Sequence, residues 1–215
     1  MIYELEKYSD VYFFSGVIRD FFLNKNKIRD IDIVLSRKCP IEEIFADSVI
    51  SKNSFGGYKI ITTSITIDIW YLNESWAFKH QRTLDFELEK QIASTAFFNF
   101  SAVIFDLKNK NFNHTIHFLR FLRDKEIDIV FQPNQNTKLC VVNTLYYADK
   151  FNLKISSKLK KYLTQIYRGD LSEFSNVQIK HFGKVLYSDA TIKNRICEFE
   201  EKRPLEEKFD LINYY

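Results

Sequence analysis

Two aspartates separated by one residue are the part of this sequence whose chemistry is easiest to define. Asp30 and Asp32 begin a run rich in β-branched residues, so in a strand their side chains lie on one face, a few ångströms apart. Two like charges about 4 Å apart repel by roughly 4 kcal/mol at an effective dielectric near 20. Mg²⁺ prefers carboxylate oxygens together with waters and substrate phosphates, and it removes that repulsion. The pair therefore predicts a magnesium site.

A third aspartate, Asp68, lies inside the strand predicted for residues 65–71. Alternation in that strand puts Ile65, Ile67 and Ile69 on one face and Thr66, Asp68 and Trp70 on the other. Acidic residues are disfavoured in strand interiors, so Asp68 calls for a functional reason. Together with Asp30 and Asp32 it would complete a platform for two metal ions about 3.5–4 Å apart. Such a pair activates an attacking hydroxyl and stabilises a leaving pyrophosphate.

A Ser15-Gly16 turn precedes these aspartates and suits phosphate binding. It separates a strand predicted for residues 11–14 from a helix predicted for residues 17–23, so its N–H groups lie at a helix N-terminus. Arg19, on that helix, either contacts phosphates or braces the loop through an ion pair with Asp20 or Asp30. Ser15, Gly16 and Arg19 are therefore the predicted nucleotide-binding residues.

The elements that position these residues alternate between strands and helices in the first half of the chain. Further strands are predicted at residues 31–35, 58–62, 65–71 and 96–107, and helices at 40–49 and 75–89. Asn24 is a candidate helix stop, because asparagine tolerates the left-handed conformation. After about residue 110 the pattern becomes mostly helical, with helices at 116–122, 137–151, 156–167 and 189–202 and a short strand at 127–131. We predict an α+β head over residues 1–110 and a helical region over residues 111–215.

Composition sets the class of protein. The chain has 215 residues, 46% of them hydrophobic, which suffices for a sizeable core, and its net charge of +3 is compatible with a nucleic-acid partner. Its three cysteines are far apart and form no disulfide or zinc pattern. The start resembles no signal peptide, and no apolar run reaches the roughly 18 residues that span a bilayer. We expect a cytoplasmic protein with no membrane partner.

The stretch Ser15-Gly-Val-Ile-Arg-Asp20, followed by Asp30-Ile-Asp32, resembles the head-domain signature of class II CCA-adding enzymes and bacterial poly(A) polymerases. These belong to the polymerase-β-like nucleotidyltransferase superfamily, whose signature is Gly-Gly-x-Val-Arg-Asp, a helix, and Asp-x-Asp. The resemblance implies a small mixed sheet flanked by helices and Mg²⁺-dependent transfer of a nucleoside monophosphate from an NTP. It also implies a helical neck and body. Gly16 takes the second glycine, Arg19 and Asp20 the Arg-Asp, and Asp30 and Asp32 the metal ligands, while Asp68 matches a later acidic residue.

The sequence departs from this family at several positions, although the resemblance covers roughly residues 10–165. Ser15 replaces the first glycine, and Ala96 and Phe97 replace an Arg-Asp. Cys140 and Asn143 stand at the arginine positions of the neck segment, and the sequence has no Glu-Asp-x-x-Arg, the motif that reads the base in the family. Because base edges are distinguished by such arginine side chains, we do not expect a full CCA-adding enzyme.

A lysine-rich stretch is the best candidate for RNA contact. Residues 150–168 contain no acidic residue, and Lys154, Lys158 and Lys161 lie within them. Each phosphate neutralised by such a lysine releases counterions, although a solvated helix face is the ordinary alternative. We predict a nucleotidyltransferase whose acceptor is RNA such as a tRNA 3′ end, or else a nucleotide, a protein or a small molecule. The alternative is a non-catalytic nucleotide- or RNA-binding protein that retains the fold; the sequence leaves the oligomeric state open.

Overall fold

A seven-stranded mixed sheet carries the predicted site. The computed structural model describes residues 2–25, 30–52, 57–74, 91–132, 136–169 and 173–201. The strands in chain order are β1 (Val11–Phe14), β2 (Asp30–Leu35), β3 (Val49–Lys52), β4 (Tyr58–Ile61), β5 (Thr66–Tyr71), β6 (Val103–Asp106) and β7 (Asn111–His114). Their spatial order is β3-β4-β5-β2-β1-β6-β7, which places β2 at the centre of the sheet.

Strand direction changes at the centre of this sheet. β2 and β5 run parallel, and the other neighbouring pairs in the sheet's described strands are antiparallel. A parallel pair needs a long crossover connection, which here contains β3, β4 and a short helix. The crossover brings two strands far apart in sequence into direct contact.

The alternation of apolar residues along β2 and β5 fixes which face carries the aspartates. Ile33, Leu35, Ile67 and Ile69 are buried in one core cluster, together with Val11, Phe45 and Ile60. The intervening positions of β5 are only partly buried, as the period of two predicts. Asp30, Asp32 and Asp68 therefore share the opposite face, where Val34 packs in a smaller cluster with Tyr12, Leu72, Ile92 and Ile104.

Four helices accompany the sheet among the residues described up to Asp124. They are α1 (Ile2–Leu5), α2 (Gly16–Phe22), α3 (Ile41–Ile44) and α4 (Ile116–Asp124). The predictions of β1, α2, β2, α4 and the β4–β5 hairpin are confirmed. Asn24 has φ 53°, so the left-handed conformation predicted for this helix stop is confirmed as well.

Two predicted elements in this region were wrong in extent. The helix predicted for residues 40–49 is limited to Ile41–Ile44, and β3 begins at Val49, because pairing with β4 extends the chain there. The strand predicted for residues 96–107 is limited to Val103–Asp106. Short 3₁₀ turns at Ile92–Thr95 and Asn99–Ser101 precede it, and Phe98 and Phe100 stack on each other with ring centroids 5.0 Å apart. The helix predicted for residues 75–89 lies outside the described residues.

The chain divides into two compact units. One contains Met1–Asp124 and Val130–Gln132, so it extends past residue 110 to include β7 and α4. The other contains Lys125–Ile129 and Pro133–Tyr215.

The described part of the second unit is mostly helical. Its helices are α5 (Thr137–Phe151), α6 (Ser157–Gly169), α7 (Phe174–Phe182) and α8 (Asp189–Glu201), and β8 (Glu126–Ile127) pairs in parallel with β9 (Lys154–Ile155). The predictions of α5, α6 and α8 are confirmed, whereas α7 was missed and the strand predicted for residues 127–131 was misplaced. Among the helices the structure describes, none is both long and apolar enough to cross a membrane.

Candidate active site

Asp32 and Asp68 lie side by side because β2 and β5 are parallel neighbours. The register pairs Asp32 with Asp68 and Asp30 with Thr66. Neighbouring strands are about 4.8 Å apart, so the carboxylates of Asp32 and Asp68 start from adjacent backbone positions on one face of the sheet. The three aspartates predicted from the sequence thus lie on one face of the sheet, although Asp32 and Asp68 are 36 positions apart in the chain.

This crowding perturbs the titration of Asp32. Its pKa is raised from 3.8 to about 7, first because the carboxyl is buried among its neighbours and then because Asp68 and Asp30 repel its charge. Lys59 and Arg19 act in the opposite direction and limit the rise in pKa. The site therefore carries more negative charge than its side chains balance, which favours binding of a cation.

Lys59 is a cation in direct contact with one of these aspartates. It lies on β4 opposite Asp68, and its Nζ is 2.6 Å from Oδ2 of Asp68. The Asp68 side chain is 15% exposed and the Lys59 side chain 39% exposed, so solvent reaches the pair mainly from the lysine side. The sequence analysis missed Lys59.

The sequence of the hairpin is sufficient to predict that Lys59 lies opposite Asp68. A two-residue turn at Thr63-Ser64 pairs positions symmetrically about the turn, so Thr66 meets Ile61 and Asp68 meets Lys59. A lysine directly opposite an aspartate on the same face of a hairpin is a stabilising cross-strand pair.

The donor chemistry of the site fits Mg²⁺. Asp30 and Asp32 offer carboxylate oxygens on one face, and Mg²⁺ commonly takes one or two carboxylates and completes its shell with waters and substrate phosphates. Within the ranges that the structure describes, no three His, Cys, Asp or Glu side chains form a ready-made metal cluster. Asp68, predicted as a third ligand, forms an ion pair with Lys59.

The Ser15-Gly16 turn has an unusual backbone. Ser15 adopts φ 60° and ψ −110°, a conformation that glycine adopts far more readily than a residue with a side chain. Its hydroxyl donates to Oγ of Ser101 at 2.9 Å, and its backbone oxygen accepts from the N–H of Arg19 as α2 begins. Ser101, which is 9% exposed, is a residue of this turn that the sequence analysis missed.

Arg19 braces the turn. The side chain is 7% exposed, its Nε donates to Oδ1 of Asp20 at 2.8 Å, and its guanidinium lies over the Phe100 ring at 5.2 Å. Its Nη2 is 3.8 Å from the point that a Cβ on Gly16 would occupy, so the guanidinium folds back over the turn. The ion pair with Asp20 is therefore present, and contact of Arg19 with phosphates stays a prediction.

The three lysines predicted to contact RNA lie in the second unit and are exposed. Lys154 is on β9, and Lys158 and Lys161 are on α6. Nζ of Lys158 donates to the backbone oxygen of Ile129 at 2.9 Å. Lys158 therefore has a structural contact.

Neither a family model nor a curated protein sequence matches this chain. Solved structures do match it. One is a CCA-adding enzyme in complex with CTP, with a TM-score of 0.65 and 16% identity over 91% of this chain and 49% of that chain. Another is a tRNA-processing enzyme in an apo form, with a TM-score of 0.65 and 16% identity over 93% of this chain and 58% of that one. A third is a tRNA nucleotidyltransferase with a primer tRNA and an incoming ATP analogue. Its TM-score is 0.56, and the match has 20% identity over 75% of this chain and 48% of that chain.

These matches establish the fold. The chain has the α+β fold of the nucleotidyltransferase head found in CCA-adding enzymes, and the predicted resemblance is confirmed at that level. It spans about half the length of the structures that it matches.

Proposed function

We propose that this protein is a nucleotidyltransferase that moves a nucleoside monophosphate from an NTP to an acceptor hydroxyl. The observation that carries this proposal is the register of β2 and β5, which puts Asp68 beside Asp32 and on the same face as Asp30. The fold shared with a CCA-adding enzyme and a tRNA nucleotidyltransferase supports it.

The proposed roles follow from the positions of the residues. Asp30 and Asp32 would hold Mg²⁺, which when bound polarises the α-phosphate and balances the charge of the triphosphate. The backbone N–H groups of Gly16 and the first turn of α2 would bind the triphosphate, while Ser101 and Arg19 hold the turn in shape. The acceptor oxygen bonds to the α-phosphorus, the bond from that phosphorus to pyrophosphate breaks, and the hydroxyl proton passes to Asp68.

We propose RNA with a tRNA-like 3′ end as the acceptor. One matched structure is that of a tRNA nucleotidyltransferase with a primer tRNA, and two others contain ATP or CTP. The exposed lysines Lys154 and Lys161 support contact with a phosphate backbone. The missing Glu-Asp-x-x-Arg motif argues against ordered C-C-A addition, so we expect transfer with a different or relaxed choice of base.

The direct test is transfer of label from an NTP. We would incubate the protein with Mg²⁺, α-labelled NTPs and total RNA, and compare it with Asp30→Ala and with Asp47→Ala, an exposed aspartate away from the three-aspartate face. We expect label on RNA with the unmodified protein and with Asp47→Ala, and a loss of at least 100-fold with Asp30→Ala. Equal transfer by Asp30→Ala, or no transfer to any acceptor, would contradict the proposal.

A non-catalytic nucleotide-binding protein is the second candidate, and the Lys59–Asp68 ion pair favours it. A lysine on an aspartate can balance charge without any metal. Such a protein would bind NTP equally well with Mg²⁺ and with EDTA. An enzyme that holds Mg²⁺ through Asp30 and Asp32 would bind NTP at least about ten times more weakly in EDTA. Calorimetric titration under both conditions separates the two functions.

A further inference from the structure

We propose that Lys59 takes the place of a second divalent cation beside Asp68, so that the site holds a single metal ion on Asp30 and Asp32. This inference rests on the proposed function and concerns the number of ions that the same site takes. Lys59 is then a positioning residue, because it acts through Asp68 and does not itself touch the reacting phosphate.

The position of Lys59 opposes a second metal ion on the same oxygen of Asp68. The lysine Nζ is 2.6 Å from Oδ2 of Asp68, whereas Mg²⁺ would need to lie about 2.1 Å from a carboxylate oxygen. An ammonium and a divalent cation cannot both occupy the space next to this carboxylate without strong repulsion.

The hairpin keeps Lys59 in place. β4 and β5 pair over four registered positions, and Thr62 closes the turn between them. Oγ1 of Thr62 donates to the backbone oxygen of Ile65 at 2.9 Å and accepts from the N–H of Ile65 at 3.1 Å. Because a slip of one residue would turn Lys59 to the opposite face of the sheet, this turn holds the lysine in register with Asp68.

The charges also favour one ion. Three ionised aspartates and the ammonium of Lys59 sum to a charge of −2, and Arg19 with its partner Asp20 adds no net charge. One divalent cation neutralises that charge. A second divalent cation would leave the protein site positively charged before any nucleotide binds. Asp30 and Asp32, on the other side of Asp68 from β4, are the two carboxylates proposed to hold the metal.

The test counts Mn²⁺ ions bound to the full chain at pH 8 in the absence of nucleotide, by electron paramagnetic resonance of free Mn²⁺ during titration. We expect one ion for the unmodified protein and none for Asp32→Asn. Lys59→Met, which keeps the length of the side chain and removes its charge, should bind two. Lys59→Met combined with Asp68→Asn should return to one, because the added ion requires the Asp68 carboxylate.

Two controls separate position from charge. Lys59→Arg keeps a cation opposite Asp68 and should bind one ion. Lys108→Met also removes one positive charge from a Lys–Asp pair. Nζ of Lys108 is 3.0 Å from Oδ1 of Asp10, near the other end of β2. This variant should also bind one ion.

The proposal is overturned if the unmodified protein binds two Mn²⁺ ions or if a folded Lys59→Met still binds one. If Lys59→Met does not fold, the number of Mn²⁺ ions bound by Asp68→Asn tests the proposal. One bound ion supports it. No bound ion overturns it, because Asp68 would then be a ligand of the ion that the unmodified protein binds. Two ions together with nucleotide transfer would remove this inference and leave the proposed function standing. An unmodified protein that binds no Mn²⁺ and transfers no nucleotide would remove both.

Discussion

At the scale of single residues, the site is a place where unfavourable interactions are concentrated. Three carboxylates share one face of the sheet, and Ser15 holds a backbone conformation suited to glycine. Such unfavourable interactions are concentrated at ligand-binding sites, where the free energy of binding compensates for them. Lys59, Arg19 and Ser101 offset part of them in the protein alone.

The raised pKa of Asp32 predicts how stability depends on pH without metal. Folding keeps a proton on Asp32 up to about pH 7, whereas the unfolded chain releases it near pH 3.8, so this contribution is full below pH 3.8 and is lost as the pH rises through 7. We expect Asp32→Asn to be roughly 2 kcal/mol more stable than the unmodified protein at pH 8 in EDTA. The difference should shrink towards zero at pH 4.

Urea unfolding at the two pH values measures this effect. Asp47→Asn serves as the control, because Asp47 is exposed and carries the same change of charge. A difference that does not depend on pH would contradict the assignment of the perturbed carboxyl to Asp32.

Ser15 gives a second prediction at this scale. Ser15→Ala loses the hydrogen bond to Ser101 and keeps the strained backbone, while Ser15→Gly loses the same bond and relieves the strain. We expect Ser15→Gly to be more stable than Ser15→Ala by about 1 kcal/mol in urea unfolding. Ser101→Ala removes the same bond without touching the backbone of Ser15, and it should match Ser15→Ala. Equal stability of the glycine and alanine variants would show that the turn is unstrained.

At the scale of elements, the β4–β5 hairpin positions Asp68 and Lys59 in the site. It pairs β5 with β4 on one side, while β5 pairs with β2 on the other, so Asp68 lies between Lys59 and Asp32. The same β5 therefore carries both the third carboxylate and the contact that neutralises it.

The turn of this hairpin can be tested by one substitution. Thr62→Ala removes the hydrogen bonds that Oγ1 makes with Ile65 and Ser64, and we expect a loss of about 1 kcal/mol of stability. Thr62→Ser keeps the hydroxyl and should lose less than half of that. Hydrogen exchange at the N–H groups of β4 should speed up in Thr62→Ala alone. Equal destabilisation by serine and alanine would show that the methyl group of Thr62, and not its hydroxyl, stabilises the turn.

At the scale of the whole molecule, the sheet carries the proposed chemistry and the second, mostly helical unit carries the lysines proposed to bind RNA. Lys154 and Lys161 are exposed, while Lys158 also holds the backbone of Ile129. Substitution of Lys154 or Lys161 should therefore affect RNA binding, whereas substitution of Lys158 should also affect stability.

We expect Lys154→Ala combined with Lys161→Ala to weaken RNA binding three- to tenfold. The slope of log affinity against log salt should fall by about 1 to 2, because fewer phosphates are neutralised. NTP binding should not change. Lys158→Ala should instead lower the stability of the protein by about 1 kcal/mol, because it leaves the oxygen of Ile129 without this donor. An unchanged salt dependence in the double variant would place the RNA contact elsewhere.

Much of the head could be predicted from local patterns. The elements β1, α2, β2 and the β4–β5 hairpin follow from runs of apolar residues, the period of two and the residues of the turns, all of which act over a few neighbours. The same local rule places Asp30 and Asp32 on one face. The aromatic stretch before β6 was misjudged, because 3₁₀ turns and ring stacking replaced the extended chain there.

The sequence by itself determined the residue types, the Ser15-Gly16 turn and the aspartate pair, since those depend only on local spacing. Tertiary structure decided which of these residues meet. The parallel pairing of β2 with β5 sets Asp68 beside Asp32, and the fold brings Ser101 to Ser15 across 86 residues. Such contacts depend on how crossovers pack against a shared core, and no local pattern in the chain encodes that packing.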